Sequence, residues 1–143
     1  MKKITNNENV IAGKGSVPMA IYARTAVDDI QKINDQIKSC KEFISSEGWS
    51  MANVAVYADN GFSGSNDQRP DFQQMLCDID SGLYHILVVS NLDRLSRNSS
   101  LSQKIIEKLM QKKIQVFIVS GNLMLSNQIH PYHFSDLLAQ ISG

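Results

Sequence analysis

The amino-acid sequence predicts an α/β fold, a three-layer α/β/α sandwich around a mostly parallel sheet of four to five strands. Short apolar segments alternate with segments in which apolar residues recur every three or four positions. These are the patterns of buried strands and of amphipathic helices, and their alternation is typical of parallel strands joined by crossing helices. The length of 143 residues is sufficient for one domain with its own hydrophobic core.

The first half of the chain predicts a strand, a helix and a second strand. Residues 19–22 are short and apolar and indicate the first strand, and residues 53–57 indicate the second. The helix between them ends near Gly48, because glycine tolerates the left-handed conformation that closes a helix. Its predicted core-facing stripe has steps of four, three and four and consists of Ile33, Ile37, Cys40 and Ile44.

A polar loop is predicted at residues 59–68, which are rich in Asp, Asn, Ser and Gly. Pro70 suits the first turn of a second helix, and Gly82 suits its end. Residues 86–90 are nearly all apolar and predict a central strand that is covered on both faces. The apolar face of the second helix is formed by Phe72, Met75, Leu76 and Ile79.

A third helix and a fourth strand complete the alternation. Asn98 or Ser99 is suited to cap the helix, and residues 116–119 predict the strand. The pattern weakens after that strand, and a short apolar stretch following Pro131 predicts one last short helix. The stripe of the third helix is Leu101, Ile105 and Leu109, and that of the last helix is Phe134, Leu137 and Leu138.

The chain is predicted to form one domain at residues 18–143, behind a flexible polar tail at residues 1–17. Net charge is zero, so any contact with nucleic-acid phosphates must come from a local cluster of charges. No apolar run is long enough to cross a membrane, and the two cysteines and three histidines fit no metal-ligand spacing. We therefore predict a cytoplasmic protein with buried, reduced thiols and without a metal ion or cofactor.

The chain contains ten lysines but only four arginines. The lysines lie in the N-terminal tail and in predicted helices, whereas every arginine lies at a strand end or in a loop. The planar guanidinium group can bind two phosphate oxygens at once, which favours arginine at phosphate sites. Because ligands bind at the carboxyl ends of parallel strands, we expect these arginines to meet at one sheet edge. They are Arg24, Arg69, Arg94 and Arg97.

Three short segments carry the polar residues that follow the predicted strands. They read YARTA at residues 22–26, DNGFSG at residues 59–64 with Arg69-Pro70 after it, and NLDRLSR at residues 91–97. Their order and spacing resemble the catalytic domain of serine recombinases, the resolvase/invertase family. That family has a Tyr-x-Arg-x-Ser segment, an Asp-x-x-x-Ser-Gly loop ending in Arg-Pro, and a Leu-Asp-Arg-Leu-x-Arg segment. The resemblance covers residues 19–119 and implies a resolvase-like fold.

The resemblance implies a metal-free phosphoryl transfer on DNA, the expected partner. A serine hydroxyl attacks a DNA phosphate, forms a 5′-phosphoserine link and releases a 3′ hydroxyl that is later used for religation. Arginines neutralise the developing charge, the part that metal ions play in other enzymes. The family works as dimers that become tetramers. The matching positions are Arg24, Arg69, Arg94 and Arg97 for the arginines, Asp93 for orienting an arginine or handling a proton, Ser63 for the loop serine and Tyr22 for the strand tyrosine.

Three features depart from the family pattern. Ala26 stands at the position of the nucleophilic serine, and it has no oxygen with which to attack phosphorus. Ile30 stands where a glutamine is common, which predicts a weaker hydrogen-bonding shell. The sequence reaches Gly143 without the pattern of a long dimerisation helix or of a DNA-binding domain. We therefore expect the chain to be inactive in cleavage, whether Ala26 is natural or engineered.

Two other functions stay open on the sequence alone. The chain could be a non-catalytic phosphate-binding, nucleic-acid-binding or regulatory module derived from the same fold. It could also be a different phosphoryl-transfer enzyme that uses Thr25 or Ser63, although Thr25 is predicted to face away because neighbouring strand residues alternate. Taken alone, Asp93 with Arg94 or Arg97 is more typical of a surface ion pair, and Tyr22 is more typical of a core residue.

Overall fold

The computed structural model describes residues 17–62 and 69–125, which form a five-stranded sheet with helices on both faces. We number the elements in chain order. The strands and helices are β1 (Met19–Thr25), α1 (Ile30–Ser46), β2 (Val54–Asn60), α2 (Pro70–Asp80), β3 (Ile86–Val89), α3 (Ser99–Gln111), β4 (Gln115–Ile118) and β5 (Leu123–Leu125). The strand order across the sheet is β2-β1-β3-β4-β5. Strands β1 to β4 pair in parallel and β5 pairs antiparallel to β4, which confirms the predicted fold class.

Strands β1 and β2 both extend further than the sequence pattern predicts. All seven residues of β1 are buried, including the polar Arg24 and Thr25. These two residues pair with Asp59 and Asn60 of β2, which the sequence had placed in a loop. Polar side chains interrupt the apolar sequence pattern by which a strand is predicted. The backbone pairing of β1 and β2 continues nevertheless, because both strands find hydrogen-bond partners. As a result, polar groups are placed on the rigid strands themselves.

The three helices form two layers around the sheet. Helices α2 and α3 pack on one face through a core that includes Phe72, Met75 and Ile106. Helix α1 covers the other face, where Cys40 and Ile44 pack against β1 and β3. Each fully buried apolar side chain of this kind contributes about 1.5–3 kcal/mol of transfer free energy. The sheet is therefore held between two apolar layers, and its carboxyl edge is left for polar residues.

The core-facing stripes of two helices differ from the predicted ones. On α1 the buried position is Gln36, whereas Ile37 is half-buried. On α3 the buried residues include Ile106 and Leu109, whereas the predicted Leu101 and Ile105 are half-buried and lie beside the core. The α3 shift has a local cause, because the Ser102 hydroxyl donates a hydrogen bond to the carbonyl of Ser96 (3.0 Å) and turns that side of the helix inward.

Helix boundaries follow the predicted capping chemistry. Asn98, rather than Ser99, caps α3, because its side chain accepts a hydrogen bond from the Leu101 amide (3.1 Å). Gly48 and Gly82 follow α1 and α2 with φ angles of 84° and 83°, as expected of helix-ending glycines. None of the helices in residues 17–62 and 69–125 is long and apolar enough to span a bilayer. The predictions for residues 1–16 and 131–138 concern residues outside those described.

The two cysteines lie in different environments. Cys40 is fully buried and burial raises its pKa to about 12, but Cys77 is exposed on α2, so the prediction that both thiols are buried is wrong for Cys77. At pH 8 a pKa near 12 leaves on the order of one Cys40 thiol in 10⁴ ionised. We expect a thiol reagent to modify only Cys77 in the native protein at pH 8, and both thiols in urea. Cys77→Ser should remove the native reactivity, and two equally fast thiols in the folded chain would contradict the burial of Cys40.

Candidate active site

The polar segments of the sequence meet at one edge of the sheet, as expected for the carboxyl ends of parallel strands. Arg24 lies near the end of β1, and Asp59 lies beside it on β2. The segment after β3 folds into a short 3₁₀ turn at Leu92–Arg94, whose start is capped by the side chain of Asn91. This turn stands over the end of β1 and supplies both backbone carbonyls and charged side chains to the site.

Arg24 is almost completely buried, with 2 % of its surface exposed. Its guanidinium donates hydrogen bonds to the carbonyls of Asp93 (2.8 Å), Phe62 (3.0 Å) and Arg94 (3.3 Å). Burial lowers the pKa of Arg24, and the charge of Arg69 lowers it further. Arg24 therefore connects the end of β1 to the segments that follow β2 and β3, and fixes their relative positions.

Gln36 is a site residue that the sequence analysis did not identify. Its side-chain oxygen accepts a hydrogen bond from the Arg24 amide (3.0 Å), and its nitrogen donates to the Arg24 carbonyl (2.9 Å). The signal was present, since Gln36 is a polar residue three positions after Ile33 and four before Cys40, on the buried face of α1. The expectation that Ile30 weakens the hydrogen-bonding shell is wrong for Arg24, because Ile30 is 62 % exposed and Gln36 bonds both backbone groups.

Arg69 lies beneath the 3₁₀ turn and is fully buried. It donates hydrogen bonds to the carbonyls of Leu95 (2.7 Å) and Arg94 (3.1 Å) and to the Tyr22 hydroxyl (3.2 Å). The Phe72 ring packs against its guanidinium carbon at 4.1 Å from the ring centre. Its Nε is buried without a hydrogen-bond partner among the described residues. In this arrangement, Arg69 supports the turn from below.

Tyr22 and Asp59 extend this network into the sheet. The Tyr22 hydroxyl donates to the Asp59 carboxylate (2.7 Å), and burial followed by that hydrogen bond raises the pKa of Tyr22, which keeps it neutral. Asp59 also accepts from the amides of Asp71 and Phe72, both at 3.0 Å. Asp59 thereby caps α2 from strand β2. Arg69 stands at the N-cap position of α2, but its side chain makes no capping hydrogen bond. The sequence analysis assigned Asp59 no separate role.

Arg94 and Arg97 form a more exposed layer above the buried arginines. The Arg94 side chain is 28 % exposed and donates to the Arg24 carbonyl (2.9 Å). Its Nε lies 3.2 Å from an Asp93 oxygen in an ion pair that lacks hydrogen-bond geometry. Arg97 is exposed. Arg94 is thus partly exposed while it also holds the Arg24 backbone, and Arg97 is the more exposed of the two.

Ala26 follows the last residue of β1 and is exposed beside Val27, which is 67 % exposed. Thr25 is buried, and its hydroxyl lies within hydrogen-bonding distance of the Val27 carbonyl and the Asn60 side-chain oxygen, in agreement with the prediction that it faces away. Asn60 also holds the segment after Ala26 through the Asp29 amide (2.8 Å). The predicted site residue Ser63 lies outside the described residues.

Comparisons with known proteins identify the family of this chain. The family model "Resolvase, N terminal domain" matches residues 19–142. A putative DNA recombinase of Bacillus subtilis (strain 168) is 31% identical over 107 residues, which cover 72% of this chain and 20% of that protein. The chain therefore spans about a fifth of that relative's length.

Solved structures share the architecture. The N-terminal catalytic domain of TP901-1 integrase superposes with a TM-score of 0.72 at 26% identity, covering 87% of this chain and 91% of that one. A resolvase family site-specific recombinase from Streptococcus pneumoniae superposes with a TM-score of 0.68 at 22% identity, covering 88% and 86%. At 22% identity, the likeness to the Streptococcus pneumoniae structure shows a shared fold alone.

Proposed function

The chain belongs to the resolvase N-terminal domain family of serine recombinases, and from this we propose that it binds DNA phosphates at the arginine site but cannot cleave the strand. The observation that carries the proposal is the hydrogen-bonded cluster of Arg24, Arg69 and Arg94, with Ala26 directly after β1. Ala26 takes the position of the serine, and its methyl group has no electron pair to form a bond to phosphorus. In this proposal the chain lacks the one nucleophilic oxygen that cleavage needs, whereas the arginines of the site are kept.

In this proposal the arginines divide into two roles. Arg94 and Arg97 contact the DNA phosphate, because they are partly exposed and exposed, respectively, whereas Arg24 and Arg69 are buried. Arg24 and Arg69 are positioning residues that hold the 3₁₀ turn through backbone carbonyls. Charge-assisted hydrogen bonds from guanidinium groups would neutralise the charge that grows on phosphate oxygens during transfer. Asp93 orients Arg94 through their ion pair.

The remaining predicted residues are assigned by their contacts or by the family pattern. Tyr22 is a positioning residue that links Arg69 to Asp59. Ser63 keeps its proposed place as the loop serine beside the phosphate. We propose that the chain uses no metal ion or cofactor and is located in the cytoplasm, where DNA is accessible. We also propose that it assembles into dimers or tetramers. Analytical ultracentrifugation with and without DNA would test this assembly.

A second candidate is a non-catalytic binding or regulatory module. The observation that favours it is the exposure of three apolar side chains at the nucleophile position, Ala26, Val27 and Ile30, beside the exposed Asp28. Such a surface suits contact with a macromolecule better than it suits activation of a hydroxyl or water. A transfer enzyme that uses Thr25 is disfavoured, because the Thr25 hydroxyl is buried and engaged within the fold.

DNA binding as a function of salt concentration tests the proposed phosphate contacts. We expect the double variant Arg94→Gln/Arg97→Gln to bind a fluorescent DNA duplex at least about 10-fold more weakly, since each charged hydrogen bond contributes about 1.5–3 kcal/mol. The log–log dependence of affinity on salt should flatten by about two, because each phosphate contact contributes about 0.9 to the slope. Unchanged affinity and slope in the folded variant would overturn the assignment of Arg94 and Arg97.

A further inference from the structure

Helices α2 and α3 enclose a groove of about 270 Å³ on one face of the sheet. Its floor is apolar and includes Leu76, Leu101 and Ile105, three half-buried side chains that the core does not cover. Phe72 lines one end of the groove, and the same ring packs against Arg69 of the candidate active site at 4.1 Å. Helix α2 begins directly after Arg69 and helix α3 begins two residues after Arg97, so the α2–α3 groove opens beside the arginine site.

One rim of the α2–α3 groove is basic. Lys104, Lys108 and Lys112 lie four residues apart, so they share one side of α3 and span about 12 Å at 1.5 Å per residue. In the part of the chain that the structure describes, neither Lys104 nor Lys108 is in a salt bridge, whereas Lys112 pairs with Asp80 at the far end. The unpaired positive charge is thus concentrated toward the active-site end.

We propose that the α2–α3 groove binds the sugar–phosphate backbone of the DNA held at the arginine site. This inference rests on the proposed function. The aliphatic stems of Lys104 and Lys108 can lie along the apolar floor while their ammonium groups reach phosphates. One DNA strand advances about 3.4 Å per phosphate along the helix axis, so Lys104 and Lys108, about 6 Å apart along α3, can reach different phosphates.

Two observations favour DNA over an acidic protein segment as the occupant. The groove begins at the arginine site, so a strand held by Arg94 and Arg97 has a wall of matching charge along which to continue. The chain as a whole has zero net charge, so attraction to DNA depends on local clusters of this kind. On the opposite face of the sheet, α1 also begins near the site, but its lysines alternate with Asp35 and Glu42.

The test compares two double variants that make the same change in net charge on opposite faces of the sheet. Lys104→Gln/Lys108→Gln alters the groove, and Lys38→Gln/Lys41→Gln on α1 is the matched control. All four lysines are exposed, so both variants should fold and melt like the parent. We expect the groove variant to bind a DNA duplex at least about 10-fold more weakly at 50 mM salt and to flatten the salt dependence by about two. The control should stay within about 2-fold of the parent.

The outcomes separate this inference from the proposed function. Equal affinities for the two double variants, with binding still lost in Arg94→Gln/Arg97→Gln, would overturn the groove assignment alone. Failure of the parent chain to bind any duplex would overturn both. Binding of an acidic amphipathic peptide that depends on Lys104 and Lys108 and is not displaced by duplex DNA would show that the groove is a protein-binding site and also overturn the inference.

Discussion

Ala26→Ser is expected to convert a chain that forms no covalent adduct with DNA into one that does. Hydrogen bonds already hold Arg24, Arg69 and Arg94 near the end of β1, and the group that Ala26 lacks is one hydroxyl. Its oxygen would bond to phosphorus, the 3′ oxygen would leave as a hydroxyl, and the protein would stay linked to the 5′ phosphate. Removal of the nucleophile in other covalent enzymes costs on the order of 10⁶-fold in rate. Adduct formation should therefore change from undetectable to readily measurable. The protein encoded by the full reading frame would be incubated with end-labelled DNA from the region that flanks its own gene. Denaturing gels would then measure the covalent adduct.

Val27→Ser is the matched control for this experiment. It adds the same hydroxyl one residue later, on a side chain that is 67 % exposed, and should give no adduct. An Ala26→Ser protein that binds DNA as tightly as the parent and still forms no adduct would contradict the view that a single atom is missing. That result would favour the regulatory module, in which the surface around Ala26 has been adapted to another contact.

The buried strands could be predicted from sequence because apolar segments of four or more residues have few other places in a small domain. The polar ends of the strands could not be predicted in this way. Arg24, Thr25 and Asp59 are polar, and they continue the sheet only because side chains and carbonyls from distant segments satisfy them. Helix α3 was rotated from its predicted stripe for the same reason, by a hydrogen bond from Ser102 to a residue outside the helix.

The candidate site was predictable to the extent that it depends on side-chain type. Four arginines at strand ends or in loops indicated a phosphate site, and the structure joins Arg24 and Arg69 to the turn that contains Arg94. Sequence could not separate exposed from buried arginines, because Arg69 is buried by carbonyls of a segment more than 20 residues away. Gln36 and Asp59 act mainly on backbone groups, and the sign of this in the sequence is one polar residue on the buried face of α1, Gln36.

Asp59→Ala is expected to lower the free energy of unfolding by about 3–5 kcal/mol, the range found when one partner of a buried charged network is removed. Asp59 is 2 % exposed and accepts hydrogen bonds from three donors, the Tyr22 hydroxyl and the amides of Asp71 and Phe72. Its removal leaves the first turn of α2 uncapped and the buried Arg69–Tyr22 pair without its anion. Urea denaturation followed by circular dichroism would measure the loss.

Two comparisons test whether the network, rather than burial alone, produces this effect. Asp93→Ala removes a carboxylate that is 51 % exposed and should cost less than about 1 kcal/mol, as surface ion pairs do. A double-mutant cycle of Asp59→Ala with Tyr22→Phe should show a coupling energy of about 0.5–3 kcal/mol, because Phe has no hydroxyl to leave unsatisfied. Additive effects in that cycle would mean that the Tyr22–Asp59 hydrogen bond contributes little, and that Asp59 acts through the cap of α2. In that case the support of the 3₁₀ turn by Arg69 would depend on the carbonyls alone, and Arg94 and Arg97 would keep their positions in the absence of Asp59.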